Sequence, residues 1–484
     1  MNAKPNVVFI FSDQHRRDAA GCYGHPQVQT PNIDRLAAEG VRFTQAYAAA
    51  PICHPCRSAL MTGRQVHRCC DLTTPQQLLD LSLPSLGTIF RQAGYATAAF
   101  GKVHVPGEDE VHDLGFDERA LRIYTPMHND YQHTIGLENF WKYCSYLPKY
   151  KPHPDAKQRH DYNLNYEPIQ LEDELIFDYM VSDRSIEFLQ RHSDHRSPVT
   201  DHRPFFLWVG LEKPHNEMYA PKRFHDLYDP ATMDLPANRH FDRSRLPDTI
   251  RDNPTFPIAD GLTDDQMRAG MAAYFANVSY MDEQLGRVLD AIEQLGLAED
   301  TIVVYSTDHG ENLFSHQIVQ KHSFFEEAVG VPLILRIPGK TQPGTARDGL
   351  VTLVDLLPTL CEACGLPVPE GVDGRSLLPT ITDGQAVHDA VFSEYYSAGA
   401  PERMIRTGKW KYVHSHGDLH QLYDIESDPH ENVNLIDDPA HAATAAALDA
   451  RLCRAWAIPD LADVPRLRGD VRQGQRGGNV LATR

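Results

Sequence analysis

The sequence predicts an α/β protein: a large mixed, mostly parallel sheet sandwiched by helices, with a smaller C-terminal α+β subdomain carrying an antiparallel sheet. Three observations predict it. Short runs of β-branched and aromatic residues alternate with amphipathic segments, as strands buried on both faces alternate with helices. Polar clusters follow the C-terminal ends of those runs, where open α/β sheets hold their ligands. After about residue 385 the texture changes to short strands separated by turn signals.

The elements follow in chain order. NVVFIFS at 6–12 reads as a central parallel strand. In TPNIDRLAAEG, Thr30 is an N-cap, Pro31 takes the first helical position and Gly40 stops the helix. A helix is expected at 84–93, stopped by Gly94, and then a strand, YATAAFGK, ending in a polar turn. PFFLWVGL at 204–211 is a third strand, followed at once by EKPHNE. The amphipathic stretch 263–295 reads as one or two helices. TIVVYSTDHGE is a fourth strand ending in charged residues, and VPLILRIPG is a fifth. Beyond 385, AVFSEYY, RMIRTGKWKYVHS and QLYDIESDP are short strands. An Ala-rich helix follows near 439–456, with Asp438 as N-cap and Pro439 at its first position. The polar stretch 124–203, rich in His, Tyr and Asp, reads as an insertion, either a lid or an oligomer contact. The expected division is a main domain at 1–385 with 124–203 inserted, a subdomain at 386–462, and an extended tail at 463–484.

Composition narrows the function classes. The 484 residues are 42% hydrophobic and 23% charged, which describes a globular chain. A formal charge of −20 excludes a general nucleic-acid binder, although a local basic pocket could still take an anion. No apolar run approaches the ~20 residues of a membrane helix. The first apolar run ends at SDQ with no small-residue cleavage site, so no signal peptide is expected. Nine scattered cysteines, an odd number, read as reduced thiols and a cytoplasmic address.

The chemistry concentrates in a few places. AAAPICHPCRSALMTGR holds Cys53 and Cys56 in a C-x-x-C spacing and Cys53, Pro55 and Arg57 in C-x-P-x-R. The first spacing fits a redox pair, or half a zinc site completed by Cys361 and Cys364. The trailing R-S-x-x-x-T-G serves neither purpose, and the second pair lies in an apolar helix. Four further clusters follow strands: Asp13–Gln14, Lys102 with His104, Lys213 to His215, and Asp308–His309, with Lys321 a little later. Asp13, Gln14, Asp308 and His309 would suit one divalent ion. Carboxylates and an amide carbonyl favour Ca²⁺ or Mg²⁺, and the imidazole widens the range to Mn²⁺ or Zn²⁺. The lysines and Arg57 would clamp an anion.

These residues together resemble the sulfatase family of the alkaline-phosphatase superfamily. Its C-x-P-x-R-S-x-x-x-T-G signature is matched by Cys53, Pro55, Arg57, Ser58, Thr62 and Gly63, and the D-Q, G-K-x-H, K-P-H and D-H-G-E motifs follow in family order. The ending LYDIESDPHENVNL also resembles the family pattern. The resemblance implies an alkaline-phosphatase-like fold and hydrolysis of a small sulfate monoester. It implies a formylglycine (3-oxoalanine) nucleophile made from Cys53 by a maturation enzyme. It implies a divalent metal, Ca²⁺ or alternatively Mn²⁺, on Asp13, Gln14, Cys53, Asp308 and His309. It further implies that Arg57 stabilises the attacking alkoxide and that Asp308 takes its proton. His104 then deprotonates the second hydroxyl, and Lys102, His215 and Lys321 grip the sulfate and serve the leaving oxygen. Gln14 stands where many members carry aspartate, and His309 where some carry asparagine. That pairing resembles the choline-sulfatase and phosphonate monoester hydrolase branches, so phosphonate monoester or phosphodiester hydrolysis is the alternative on this site. An alternative of another class is a non-catalytic metal-binding or thiol-redox protein. Cys53 is expected just before a helix beginning near Ser58, and the protein is expected to touch no membrane and no nucleic acid. A homo-oligomer built on the insertion or the tail is an open expectation.

Overall fold

The computed structural model describes residues 4–72, 77–105, 114–121, 168–193, 203–216, 218–251, 259, 261–397 and 400–456. Most of the expected insertion, Cys144 and the whole 463–484 tail lie outside the described residues.

In chain order the first ten strands are β1 (Asn6–Asp13), β2 (Val41–Tyr47), β3 (Cys70–Asp71), β4 (Leu78–Leu79), β5 (Ala96–Gly101), β6 (Glu118–Ala120), β7 (Phe205–Pro214), β8 (Thr301–Thr307), β9 (Gly330–Arg336) and β10 (Thr345–Thr352). β3 and β4 pair with each other, and the other eight form one sheet in the order β10-β2-β9-β8-β1-β7-β5-β6. β9 runs antiparallel to both neighbours, and every other pairing is parallel. The expected mixed, mostly parallel sheet is therefore present. β1 is central because its run is apolar on both faces. Val8 lies opposite Leu207 on one side and Val303 on the other.

Successive side chains point to opposite faces. Val8 and Ile10 join one core with Leu207, Val209, Val303 and Tyr305, covered by the helices Phe177–Ser193 and Asp264–Gln294. Val7, Phe9 and Phe11 join the other with Phe206, Trp208 and Leu357. Phe9 stacks on Trp208 with ring centroids 4.9 Å apart. Burying each such ring removes an apolar surface worth roughly 1.5–3 kcal/mol. The described end of the expected insertion contributes the Phe177–Ser193 helix, which packs on β7 as part of this layer.

Helix ends follow their capping chemistry, with adjustments. α1 (Pro31–Glu39) starts where Pro31 predicts. The Thr30 hydroxyl, however, accepts from Gly21 N–H (2.8 Å) and donates to Asp34 (3.2 Å). The free N–H groups of Asn32 and Ile33 turn instead to the Asp282 carboxylate, at 3.1 and 2.7 Å. Asp264–Gln294 is one uninterrupted helix, opened by a Thr263–Gln266 capping box. α2 (Cys53–Thr62) begins at Cys53 itself, five residues before the expected start. Pro55 permits this, because a proline in the first turn lacks only an N–H that has no intrahelical partner.

The C-terminal strands β11 (Ala390–Ser397), β12 (Ala400–Thr407), β13 (Trp410–Ser415) and β14 (Gln421–Asp424) make the expected antiparallel sheet in sequence order. The helix Ala442–Trp456 covers one face through Leu448, Leu452 and Trp456. The other face packs Val391, Met404 and Val413 against Tyr47, Phe324 and Val329 of the main domain. A buried charge clasp lies in that seam. Lys411 Nζ reaches Glu326 and Glu431, both at 2.8 Å, and donates to the Phe324 carbonyl. Burial opposes ionisation of both carboxyls. Lys411, Arg17 and Arg406 still hold Glu326 below the usual range, while burial and the neighbouring Glu326 push Glu431 up to about 8. The depressed group stabilises the fold above its unfolded pKa, and that part is lost as pH falls through the folded value. The raised group stabilises the fold in its protonated form, and that part is lost as pH rises through about 8. Stability should therefore be greatest at intermediate pH. Lys411→Met, which leaves Glu326 to Arg17 and Arg406 and takes the Lys411 partner from Glu431, should cost about 1–3 kcal/mol in urea unfolding. A cost near zero would show that the clasp contributes nothing.

Candidate active site

β1 and β8 end side by side, so their polar termini meet. Asp13 follows the apolar run of β1, and Asp308 and His309 follow that of β8. The two-strand register, Ser12 opposite Thr307, brings the next residues of each chain together. Asp13, Gln14, Asp308 and His309 are all fully buried.

Cys53 enters the same space from the first position of α2. Its Sγ lies 3.2 Å from His309 Nε2, 3.0 Å from Lys321 Nζ and 3.9 Å from Asp13 Oδ1. Burial, with Asp13 close by, pushes this thiol up to about 11, so as cysteine it stays protonated at neutral pH. Cys56 points away into the apolar layer beside Ala59 and Leu60. Cys361 and Cys364 are buried in that same core. The C-x-x-C residues therefore form no redox pair or zinc half-site in this structure.

Arg57, one helical turn after Cys53, is completely buried and reads the backs of both carboxylates. Nε donates to Asp308 Oδ2 at 2.7 Å and Nη2 to Asp13 Oδ2 at 3.0 Å. The remaining N–H groups reach the carbonyls of Ser12, Lys102 and Val103. Lys102 Nζ approaches Asp13 Oδ2 at 2.8 Å. Burial alone would raise the Asp13 carboxyl, but Lys102, with Arg57 and Lys321, holds it well below the ordinary range. Lys102 reaches this place because β5 ends in glycine. Gly101 has φ +84°, and a Cβ there would stand 2.1 Å from the Gly210 carbonyl. Gly101→Ala should therefore displace Lys102 and lower turnover at least tenfold, read as kcat/KM.

Lys321 and His215 close the opposite side. Lys321 Nζ lies 3.2 Å from Gln14 Oε1 and 3.1 Å from His215 Nε2. His215 Nδ1 donates to the Asn216 carbonyl at 2.6 Å, so Nε2 is the acceptor of the Lys321 proton. His104, at φ +56°, faces His54, the two Nε2 atoms in contact. Burial lowers the pKa of both rings, that of His54 to about 3.

The donor set fits a divalent cation. One ligand atom from each of Asp13, Cys53, Asp308 and His309 lies within 4.8 Å of the others. His309 Nδ1 donates to the Gly310 carbonyl at 2.9 Å, which fixes the tautomer and turns a bare Nε2 toward the centre. Two carboxylate groups and one imidazole suit a hard or borderline ion. Among the described residues, no other group of three His, Cys, Asp or Glu gathers in this way.

Three contributors carried no role in the sequence reading. Glu311 touches Gln14 and the Gln320 N–H. Tyr274, from the middle of the long helix, donates to the Gln14 carbonyl at 2.7 Å. His54 pairs with His104. Glu311 was visible within TDHGE, whereas Tyr274 belongs to no motif.

Comparison with known proteins gives the family. Residues 5–366 match the sulfatase family model, and 315–457 match that of the N-sulphoglucosamine sulphohydrolase C-terminal region. The choline-sulfatase of Rhizobium meliloti is 30% identical, over 92% of this chain and 85% of that protein. The ulvan-active sulfatase of Formosa agariphila is 29% identical, over 93% and 80%. The phosphonate monoester hydrolase of Agrobacterium radiobacter shares the fold with a TM-score of 0.79, at 24% identity over 94% and 96% of the two chains. With its signature cysteine seated among the gathered strand-end residues and the family match spanning most of its length, the chain belongs to the sulfatase family.

Proposed function

We propose that the protein hydrolyses small sulfate monoesters through formylglycine formed from Cys53 and one divalent metal ion. The observation that carries the reading is the placement of Cys53: at the start of α2, within 4 Å of His309, Lys321 and Asp13. Formylglycine, as its hydrate, supplies one hydroxyl to attack sulfur and a second whose deprotonation expels sulfate, which spares the enzyme a difficult S–O cleavage. A divalent ion, Ca²⁺ or alternatively Mn²⁺, held by Asp13, Gln14, Asp308, His309 and side chain 53, supplies charge neutralisation for an anionic ester.

The chain's own groups divide the remaining work. Arg57 holds Asp13 and Asp308 in position and brings a fixed positive charge beside side chain 53. Lys102 and Lys321 supply two more cations to a substrate that arrives as an anion. Asp308 is the base for the attacking hydroxyl. On the leaving-group side Lys321 carries the proton, and His215 Nε2, which accepts from it, passes or receives that proton. His104 serves the release step, with His54 fixing its ring. A maturation enzyme must supply the oxidation of Cys53. No helix among the described residues is long and apolar enough to cross a membrane. Free thiols at Cys22, Cys56 and Cys69 support a reducing, cytoplasmic setting.

The intact mass of the Cys53 peptide tests the reading. Formylglycine is lighter than cysteine by about 18 Da and gains a water as its hydrate. Rates on an aryl sulfate, an aryl phosphonate monoester and a phosphodiester then separate the chemistries. A dominant sulfate rate is expected. Fast phosphonate hydrolysis beside little sulfate turnover would replace the proposal with its neighbour, which the Gln14 and His309 pairing also suits. An unmodified thiol in active protein would overturn the formylglycine reading.

A further inference from the structure

Gln14 has an amide whose two ends differ in chemistry but not in shape, so something must decide which end faces the centre. Its backbone is held in the left-handed region, φ +66°. The Gln14 N–H donates to Asp308 Oδ1 at 3.2 Å, and its carbonyl accepts from Tyr274. These bonds fix the main chain and leave the amide free to turn over. Glu311 decides its orientation. This carboxylate is buried at 2% exposure behind Gln14. Its Oε1 accepts the N–H groups of Leu313 (3.0 Å) and Gln320. Its Oε2 accepts from Gln14 Nε2. A carboxylate can only accept, so the amide nitrogen must face Glu311. The amide oxygen must then face inward, where it lies 3.2 Å from Lys321 Nζ.

We propose that Glu311 is the positioning residue that turns Gln14 Oε1 into a donor for the metal. The proposal rests on the reading that this centre holds a divalent cation. Glu311 itself touches no substrate or ion. It keeps a negative charge one side chain away from the centre while Gln14 presents a neutral oxygen.

Glu311→Gln separates this role from a structural one. The amide oxygen of the variant can still take both backbone N–H groups, so the loop keeps its bonds. Its nitrogen then faces Gln14, which must flip and turn its own nitrogen toward the centre. Gln14→Glu added to Glu311→Gln reverses the pair, restoring an inward oxygen at unchanged net charge.

The test is calorimetric titration of chelator-stripped protein with Ca²⁺ and Mn²⁺, beside thermal melting of the stripped forms. Glu311→Gln is expected to weaken ion binding about tenfold or more with an unchanged melting temperature. The reversed pair is expected to recover affinity to within about threefold. Wild-type affinity in Glu311→Gln overturns the inference alone. If that variant melts lower, the reversed pair decides: recovered affinity supports the assignment, and unrecovered affinity overturns it. A wild-type protein that binds neither ion overturns the metal reading and this inference with it.

Discussion

Replacing Arg57 by alanine is expected to abolish turnover and to destabilise the metal-free protein by about 3–5 kcal/mol. The guanidinium is fully buried and is the partner of two fully buried carboxylates, Asp13 and Asp308. Removing it takes the guanidinium from Asp308, leaves Asp13 with Lys102 as its close cation, and takes a donor from the carbonyls of Ser12, Lys102 and Val103. Lysine cannot stand in, because one ammonium offers three donors where Arg57 makes five bonds in a fixed plane. Arg57→Lys should retain part of the stability and little of the activity. Urea unfolding of chelator-stripped protein and initial rates on an aryl sulfate measure the two effects. A stable, active Arg57→Ala would show that Lys102 and Lys321 alone balance the site.

The second large effect concerns Cys53. Cys53→Ala should reduce sulfate ester turnover by on the order of 10⁴-fold or more, the scale of removing a covalent nucleophile. Stability should change little, because the substitution removes one sulfur from a polar pocket and leaves the first turn of α2 intact. Near-normal turnover in that variant would exclude side chain 53 as the nucleophile. Loss of activity together with loss of fold would show that the variant reports on structure instead.

Much of this site was legible in the sequence, because its residues sit at strand ends and motifs are contiguous there. Asp13–Gln14, Lys102, His215 and Asp308–His309 each follow an apolar run, and the parallel register gathers them at one edge. What stayed hidden depends on contacts between distant segments. Tyr274 reaches Gln14 across 260 positions from a helix with no motif. The turn of Gln14 by Glu311 cannot be read from either residue alone. Among the elements, β2 was missed because Arg42, Thr44 and Gln45 interrupt its apolar pattern at half-buried positions. β10 was missed because it is an edge strand whose first half is not buried. α2 starts at Cys53 and not near Ser58, because Pro55 falls in its first turn, where a proline breaks nothing.

The central place of β1 also bears on synthesis. Its partners β7 and β8 lie roughly 200 and 300 residues downstream. At ribosomal speeds of roughly 5–20 residues per second, NVVFIF waits on the order of 10–40 s before the first of them is made. Throughout that interval a sticky, uncharged segment with no neighbour is open to association with other nascent chains. Yield in a heterologous host should therefore depend on chaperone supply and growth temperature more than on the thermodynamic stability of the finished molecule.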